Sequence, residues 1–291
     1  MRSVQDIRNA CGGASLDQRP SDASMSGRDA METPKIEIRG VVKRFHASCV
    51  VEAVSRTDIA IRAGEFACLV GPSGCGKSTL LRMLAGLQLP SEGSITIHAS
   101  SDRLVPTATV FQGYNIFPWK TIEANVRFGL ELAGVPQREI GARTATWLTK
   151  MGLRDFVHAY PPALSGGMLQ RVAIARALAV EPEILLLDEP FAALDPQTRR
   201  IMQEELLALW QESRRTVVLV THSLQEAILL GDRIIVMSAR PGRVIAEFEV
   251  PFSRPRKPSI TSDPSFAALD EKIWGLLHDE VEKSFHGEVG R

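Results

Sequence analysis

Residues 69–80 read LVGPSGCGKSTL, with Gly71, Gly74 and Gly76 followed at once by Lys77, Ser78 and Thr79. The run before them, GEFACLV, is nearly all apolar, and the run after them, TLLRMLAGL, has helical spacing with Gly86 as its stop. A strand, a glycine-rich turn and a helix in that order fit G-x-x-x-x-G-K-[ST]. Glycine lets a backbone wrap a phosphate chain and turn its N–H groups inward. The helix N-terminus beyond adds a partial positive charge. Gly71, Pro72, Ser73, Gly74, Cys75, Gly76, Lys77, Ser78 and Thr79 are therefore expected to hold a nucleoside triphosphate. Lys77 supplies a point charge for the β- and γ-phosphates, Ser78 a hydroxyl for Mg2+, and Thr79 a donor near the α-phosphate. A chance glycine-rich turn is the competing reading, and the flanking strand and helix weigh against it.

The rest of the composition sets limits. At 291 residues the chain has room for one large domain or two small ones. Apolar residues at 44% and charged residues at 23% suit a soluble globular protein. Lys+Arg equals Asp+Glu at 34 each, which gives no support to a nucleic-acid-binding surface. Cys11, Cys49, Cys68 and Cys75 form no CxxC pair or zinc-like spacing and are expected as reduced cytosolic thiols. No apolar run approaches the roughly 20 residues that span a bilayer. The N-terminus lacks the apolar block of a secretory signal. The expectation is a chain soluble in the cytoplasm or peripheral to a membrane.

Residues 1–33 are polar and aperiodic and are expected to be a disordered tail, with Met25 and Met31 as alternative starts. KIEIRGVVKRF alternates like a strand, and further strands are read in TDIAIRAGEFACLVG, GSITIHA and ATVFQ. From Thr121 to about Phe156 the pattern is helical, which suggests a helical subdomain inserted between strands, at about 118–180. Strands return at EILLLDEP and TVVLVTH, with the helical PQTRRIMQEELLALWQES between them. RIIVMSA and RVIAEFEV read as a hairpin across Arg240, Pro241 and Gly242. SRPRKPS reads as a basic linker. Asp263 as N-cap and Pro264 at N1 then open a helix with Phe266, Leu269, Ile273, Leu276 and Leu277 at packing positions.

Carboxylates complete the chemistry. Asp188 and Glu189 close the apolar run ILLL, the strand end at which open α/β sheets place a ligand crevice. Asp188 is expected to bind Mg2+, and Glu189 to polarise the attacking water as general base. Phosphoryl transfer asks chiefly for positioning and charge neutralisation, which such groups supply. His222 follows the buried strand TVVLVTH and is a candidate γ-phosphate contact. Gln112, at the end of ATVFQ, can touch Mg2+ or the attacking water.

LSGGMLQR at 164–171 carries a family resemblance. Together with the phosphate loop, Gln112, the pair Asp188 and Glu189, the ALD segment ending in Asp195, and His222, it resembles the ATP-binding subunits of ABC transporters from about Ile36 to Val250. The resemblance implies an α/β P-loop ABC ATPase core over residues 34–251. That core has a mostly parallel central sheet, an N-terminal antiparallel β part and an inserted helical subdomain, and residues 252–291 form a linker and C-terminal helix. It implies that Ser165, Gly166 and Gly167, at the positive end of a helix, complete the ATP site of a second subunit in a head-to-tail dimer. It also implies that Asp195 crosses that interface and that Phe45 stacks on adenine, although Phe45 could equally be a core residue. Leu169 departs from the basic residue these signatures often carry. The implied partners are a second ATPase subunit, transmembrane permease subunits at the cytoplasmic face of a bacterial inner membrane, and indirectly a solute-binding protein. The Q-loop region and the end of the core resemble importers of nitrate, sulfonates and taurine. The roughly 40 residues after Val250 are too few for the β-rich regulatory domain of sugar importers. A soluble ABC ATPase of DNA repair or the ribosome is the rival, but neither a long insertion nor a second cassette is present.

Overall fold

The computed structural model describes residues 33–46, 49–100 and 105–288. The expected tail, with Cys11, Met25 and Met31, lies outside the described residues except for Thr33.

Strands β1 (Ile36–His46), β2 (Val50–Ile61) and β4 (Glu92–Ile97) make an antiparallel sheet in the order β2-β1-β4. The alternation of KIEIRG sets the register: Ile36 faces Ile61 and Ile97, and Ile38 faces Ile59 and Ile95. The isoleucines thereby share one face, and Ile36 and Ile38 are buried. The larger sheet contains β3 (Phe66–Val70), β5 (Thr107–Val110), β6 (Ile184–Asp188), β7 (Thr216–Val220), β8 (Arg233–Met237) and β9 (Val244–Glu249). Its order is β5-β6-β7-β3-β8-β9, parallel until the antiparallel β9.

The central strands β3, β6 and β7 are buried at every position, and all of their residues but Asp188 and Thr216 are apolar, because both faces are covered. Period two divides them between two cores. Phe66, Cys68 and Val70 point into a core shared with α2 (Ile122–Leu132), α4 (Gly166–Ala179), α5 (Pro196–Ser213), α6 (Leu224–Leu230) and α7 (Pro264–Glu288). The helix α3 (Gln137–Lys150) adds Ile140 and Leu148 to that core. Ala67 and Leu69 face α1 (Lys77–Leu84) and the antiparallel sheet. Phe66 is fully buried with its ring edge-on to Trp210 at 5.7 Å, so Phe66→Ala should cost about 3–5 kcal/mol.

Two expectations change near the C-terminus. Within the linker SRPRKPS, Arg254 and Arg256 pack against the core, while Ser253, Pro255, Lys257 and Ser259 are exposed. Arg254 Nε donates to Asp232 Oδ1 at 2.8 Å, and its guanidinium lies 4.1 Å from the Trp210 ring centroid. Arg256 Nη1 donates to the carbonyls of Ile228 at 3.1 Å and Leu229 at 3.4 Å, and also to that of Gly231. It thus satisfies carbonyls that the end of α6 leaves without helical partners. Burial, and then the neighbouring Arg254, bring the Arg256 guanidinium down to about 10. The C-terminal helix does bury Phe266, Ile273 and Leu277, but Leu276 is 40% exposed. The apolar stripe is therefore narrower than the sequence spacing suggests. No described helix is long and apolar enough to cross a membrane.

Candidate active site

Four neighbouring strands, β5, β6, β7 and β3, deliver the predicted groups from their C-terminal ends. The phosphate loop leaves β3 and enters α1. Gly74 and Gly76 have φ of 74° and 104°, a region that β-carbons disfavour. Lys77 is 5% exposed, and its Nζ donates to the carbonyls of Gly71 and Pro72, each at 2.8 Å. Ser73 and Gly74 are exposed at the tip, and Thr79 lies partly buried in the first turn of α1. Cys75 lines this loop with its backbone, and its Sγ lies 3.7 Å from Lys77 Nζ. Its thiol is fully buried in the core beneath, and burial pushes it above its ordinary value. The loop is braced from behind by Gly242, where a β-carbon would come 1.8 Å from the Cys75 carbonyl oxygen. Gly242 is itself fixed by bonds from its N–H to Ala53 O and from Ser55 N–H to its carbonyl.

Asp188 ends β6 and is 4% exposed. Ser78 Oγ donates to its Oδ1 at 2.7 Å. Burial raises the Asp188 carboxyl above its ordinary value, and the Ser78 hydrogen bond partly opposes this. Glu189 takes φ 45°, an uncommon left-handed conformation for a non-glycine residue, while its N–H donates to Val220 O at 2.9 Å. That turn aims its carboxylate across β7. Glu189 Oε2 lies 3.2 Å from His222 Nδ1 and accepts from Gln112 Nε2 at 3.4 Å. Gln112 sits two residues beyond the end of β5, in a loop rather than in the strand. The structure thus brings Lys77, Ser78, Asp188, Glu189, His222 and Gln112 to one sheet edge.

The signature and Asp195 form a second group. Ser165 caps α4, its side chain accepting from Met168 N at 3.4 Å. A β-carbon on Gly167 would meet Thr198 Cγ2 at 2.5 Å, and one on Gly166 would meet the Tyr114 hydroxyl at 3.1 Å. Asp195 caps α5 by accepting from Gln197 N at 3.1 Å and Thr198 N at 3.0 Å, and the Thr198 side chain first, then these backbone donors, hold it below its ordinary value. Within one chain, then, Ser165, Gly166 and Gly167 neighbour the start of α5 rather than the phosphate loop. Phe45 is 38% exposed with Lys43 Nζ 5.1 Å above its ring, so it is not a core residue.

Sequence reading missed the residues that hold these loops. Arg176 donates to the carbonyls of Asn115 at 2.7 Å and Tyr114 at 3.1 Å, tying the loop after Gln112 to α4. Fully buried Asn125 bonds both the N–H and the carbonyl of Phe117. Glu226 is buried against Gln203. Its one sequence signal is the S-x-x-E spacing from Ser223, which suggests a solvated capping box.

A model described as ABC transporter matches residues 54–192. An uncharacterised ABC transporter ATP-binding protein of Methanocaldococcus jannaschii is 45% identical, covering 90% of this chain and 98% of its own. A taurine import ATP-binding protein of Rhizobium johnstonii is 46% identical over 78% of this chain and 90% of its own. A nitrate import ATP-binding protein of Synechocystis is 43% identical over 78% and 88%. A solved dimeric ATP-binding cassette in a post-hydrolysis state with ADP and Pi superposes with a TM-score of 0.66. It is 33% identical, with 75% of this chain and all of that one covered.

Proposed function

The chain belongs to the ABC transporter family as an ATP-binding subunit, and from that premise we propose that it hydrolyses ATP to drive import of a small solute such as nitrate, an aliphatic sulfonate or taurine. The observation that carries this reading is the meeting of Gln112, Glu189 and His222 beside the Ser78–Asp188 pair on adjacent strand ends. The residue roles follow from it. Lys77 and the inward N–H groups of the loop bind the β- and γ-phosphates. Glu189 accepts a proton from the attacking water, and His222 holds Glu189 and the γ-phosphate in line.

Ser78 and Asp188 offer hard oxygen donors, and the buried carboxylate has a neutral hydroxyl as its hydrogen-bond partner. This donor set fits Mg2+, which takes few protein ligands and keeps several waters. Gln112 is the third residue we assign to it. Bound there, Mg2+ would neutralise charge on the transferring phosphoryl group.

The placement of Ser165–Gly167 away from the chain's own phosphate loop supports a head-to-tail dimer, in which each signature closes the other subunit's ATP site and Asp195 passes across. Phe45, exposed and aromatic, is assigned to the adenine ring. The partners would be permease subunits received by the 114–119 segment and the helical subdomain at about 118–180, with a solute-binding protein acting through the permease. The ATPase core would span residues 34–251 and lie at the cytoplasmic face of a bacterial inner membrane. Mild detergent extraction of the tagged chain from native membranes tests this. A multi-helix permease should co-purify, and its ATPase should respond to binding protein with the candidate anions. Soluble partners alone, under conditions that keep a control transporter intact, would favour a soluble ABC ATPase instead.

A further inference from the structure

The turn carrying Glu189 and the turn carrying His222 are joined from behind by a buried polar cluster that the hydrolytic scheme does not use. Glu226, in the first turn of α6, is 5% exposed. Its Oε1 accepts from Gln203 Nε2 on α5 at 2.9 Å, its N–H donates to Ser223 Oγ at 3.3 Å, and Thr221 lies beside the same carboxylate. Thr221 in turn accepts from Ser223 N at 3.1 Å, bracketing His222. One turn before Gln203, Arg199 donates to the carbonyls of Phe191 at 3.3 Å and Leu194 at 3.0 Å, in the segment that runs from Glu189 to Asp195. A cavity of about 10 Å³ lies among Glu189, Arg199, Thr221, His222 and Glu226, the volume of about one water.

An apolar side chain would fill the Glu226 position at lower desolvation cost. Burial raises the Glu226 carboxyl above its ordinary value, against the neighbouring Thr221 and Gln203 side chains and the charges of Arg199 and His222. What the carboxyl adds is a bond to α5 from a residue already fixed, through Ser223, to the turn after β7.

We propose that Glu226 is a positioning residue for hydrolysis. Through Gln203 and Ser223 it locks α5, with the loop that Arg199 holds, to the turn bearing His222, and so keeps Glu189 and His222 facing each other. The Asp195 end of that loop and His222 then move as one body. This inference rests on the ATPase reading above.

The test compares the full wild-type chain with Glu226→Ala, Glu226→Gln and Gln203→Met. It measures steady-state hydrolysis, nucleotide affinity and Tm. Glu226→Ala should lower kcat about tenfold while ATP affinity stays within about twofold, the pattern of a misplaced catalytic group. Gln203→Met should show the same split, more weakly. Glu226→Gln keeps an acceptor for Gln203 and should recover at least about half of the wild-type kcat. A merely structural role would lower Tm and leave kcat per folded site alone. Wild-type kcat in folded Glu226→Ala and Gln203→Met, or kcat and affinity falling together, overturns the proposal. If Glu226→Ala does not fold, Gln203→Met decides by the same criteria. An inert wild type fails the ATPase reading instead, so the two failures are distinct.

Discussion

Ser78 Oγ donates to Asp188 Oδ1 at 2.7 Å, joining the first turn of α1 to the end of β6 across 110 positions of sequence. Asp188 has its folded value raised by burial, so the folded chain holds that proton more readily than the unfolded chain does. Between the two values stability falls as pH rises, and above both the cost of the buried charge is fully present. Asp188→Asn should therefore raise Tm at pH 7 without metal, by on the order of 2 °C. It should also lose the Mg2+-dependent part of ATP affinity. A lowered Tm, or unchanged Mg2+ dependence in a nucleotide titration, would count against this account.

Glu189 is held by a left-handed turn and faces both Gln112 and His222. Glu189→Gln should bind ATP, remain dimeric by light scattering, and hydrolyse about 10²–10⁴-fold more slowly. Rapid turnover by this variant would remove Glu189 from the base role. His222→Ala should slow hydrolysis in the same direction.

Gly242 cannot accept a side chain where it stands, because a β-carbon would collide with the Cys75 carbonyl. Gly242→Ala should displace the phosphate loop, lower stability by about 1–3 kcal/mol and weaken ATP binding. Calorimetry and nucleotide titration on the same preparation read both effects. Wild-type ATP affinity would show that the loop does not depend on this brace.

The Cys75 thiol sits in the phosphate loop, where an adduct would block ATP, but it is buried and its ionisation is pushed up by burial. Exposed Cys49 should react ahead of Cys75 in the native chain, and Cys75 should react only as the chain unfolds. Peptide mass spectrometry of time-quenched labelling distinguishes the two. Rapid native labelling at Cys75 would contradict its burial.

Arg256 spans the C-terminal end of α6 with a side chain only 2% exposed. Arg256→Ala should cost about 3 kcal/mol by stranding those buried carbonyls, while Asp232 keeps its partner Arg254. Thermal melting measures the loss. Nucleotide affinity of the folded fraction should stay unchanged, since the strap lies outside the phosphate loop.

Contiguous patterns were legible before the structure. The phosphate loop announces itself because strand, glycines, lysine and helix follow one another, and α5 occupies PQTRRIMQEELLALWQES as its periodicity indicates. Long-range geometry was not. Nothing local says that Gln112 lies beyond its strand, that Gly242 braces Cys75, or that Arg254 and Arg256 are packed while Leu276 is exposed. Glu226 reads as a surface residue of an amphipathic turn until α5 brings Gln203 against it. Each of these depends on which segments the sheet order makes neighbours, and spacing along the chain carries no such information.

The approach of Gly242 to Cys75 bears on how portable the phosphate loop is. The motif can be copied into another strand–helix junction letter by letter, but its curvature here is moulded by a late hairpin pressing on it. A transplant without that hairpin would carry the recognisable residues and lose the shape that makes them useful.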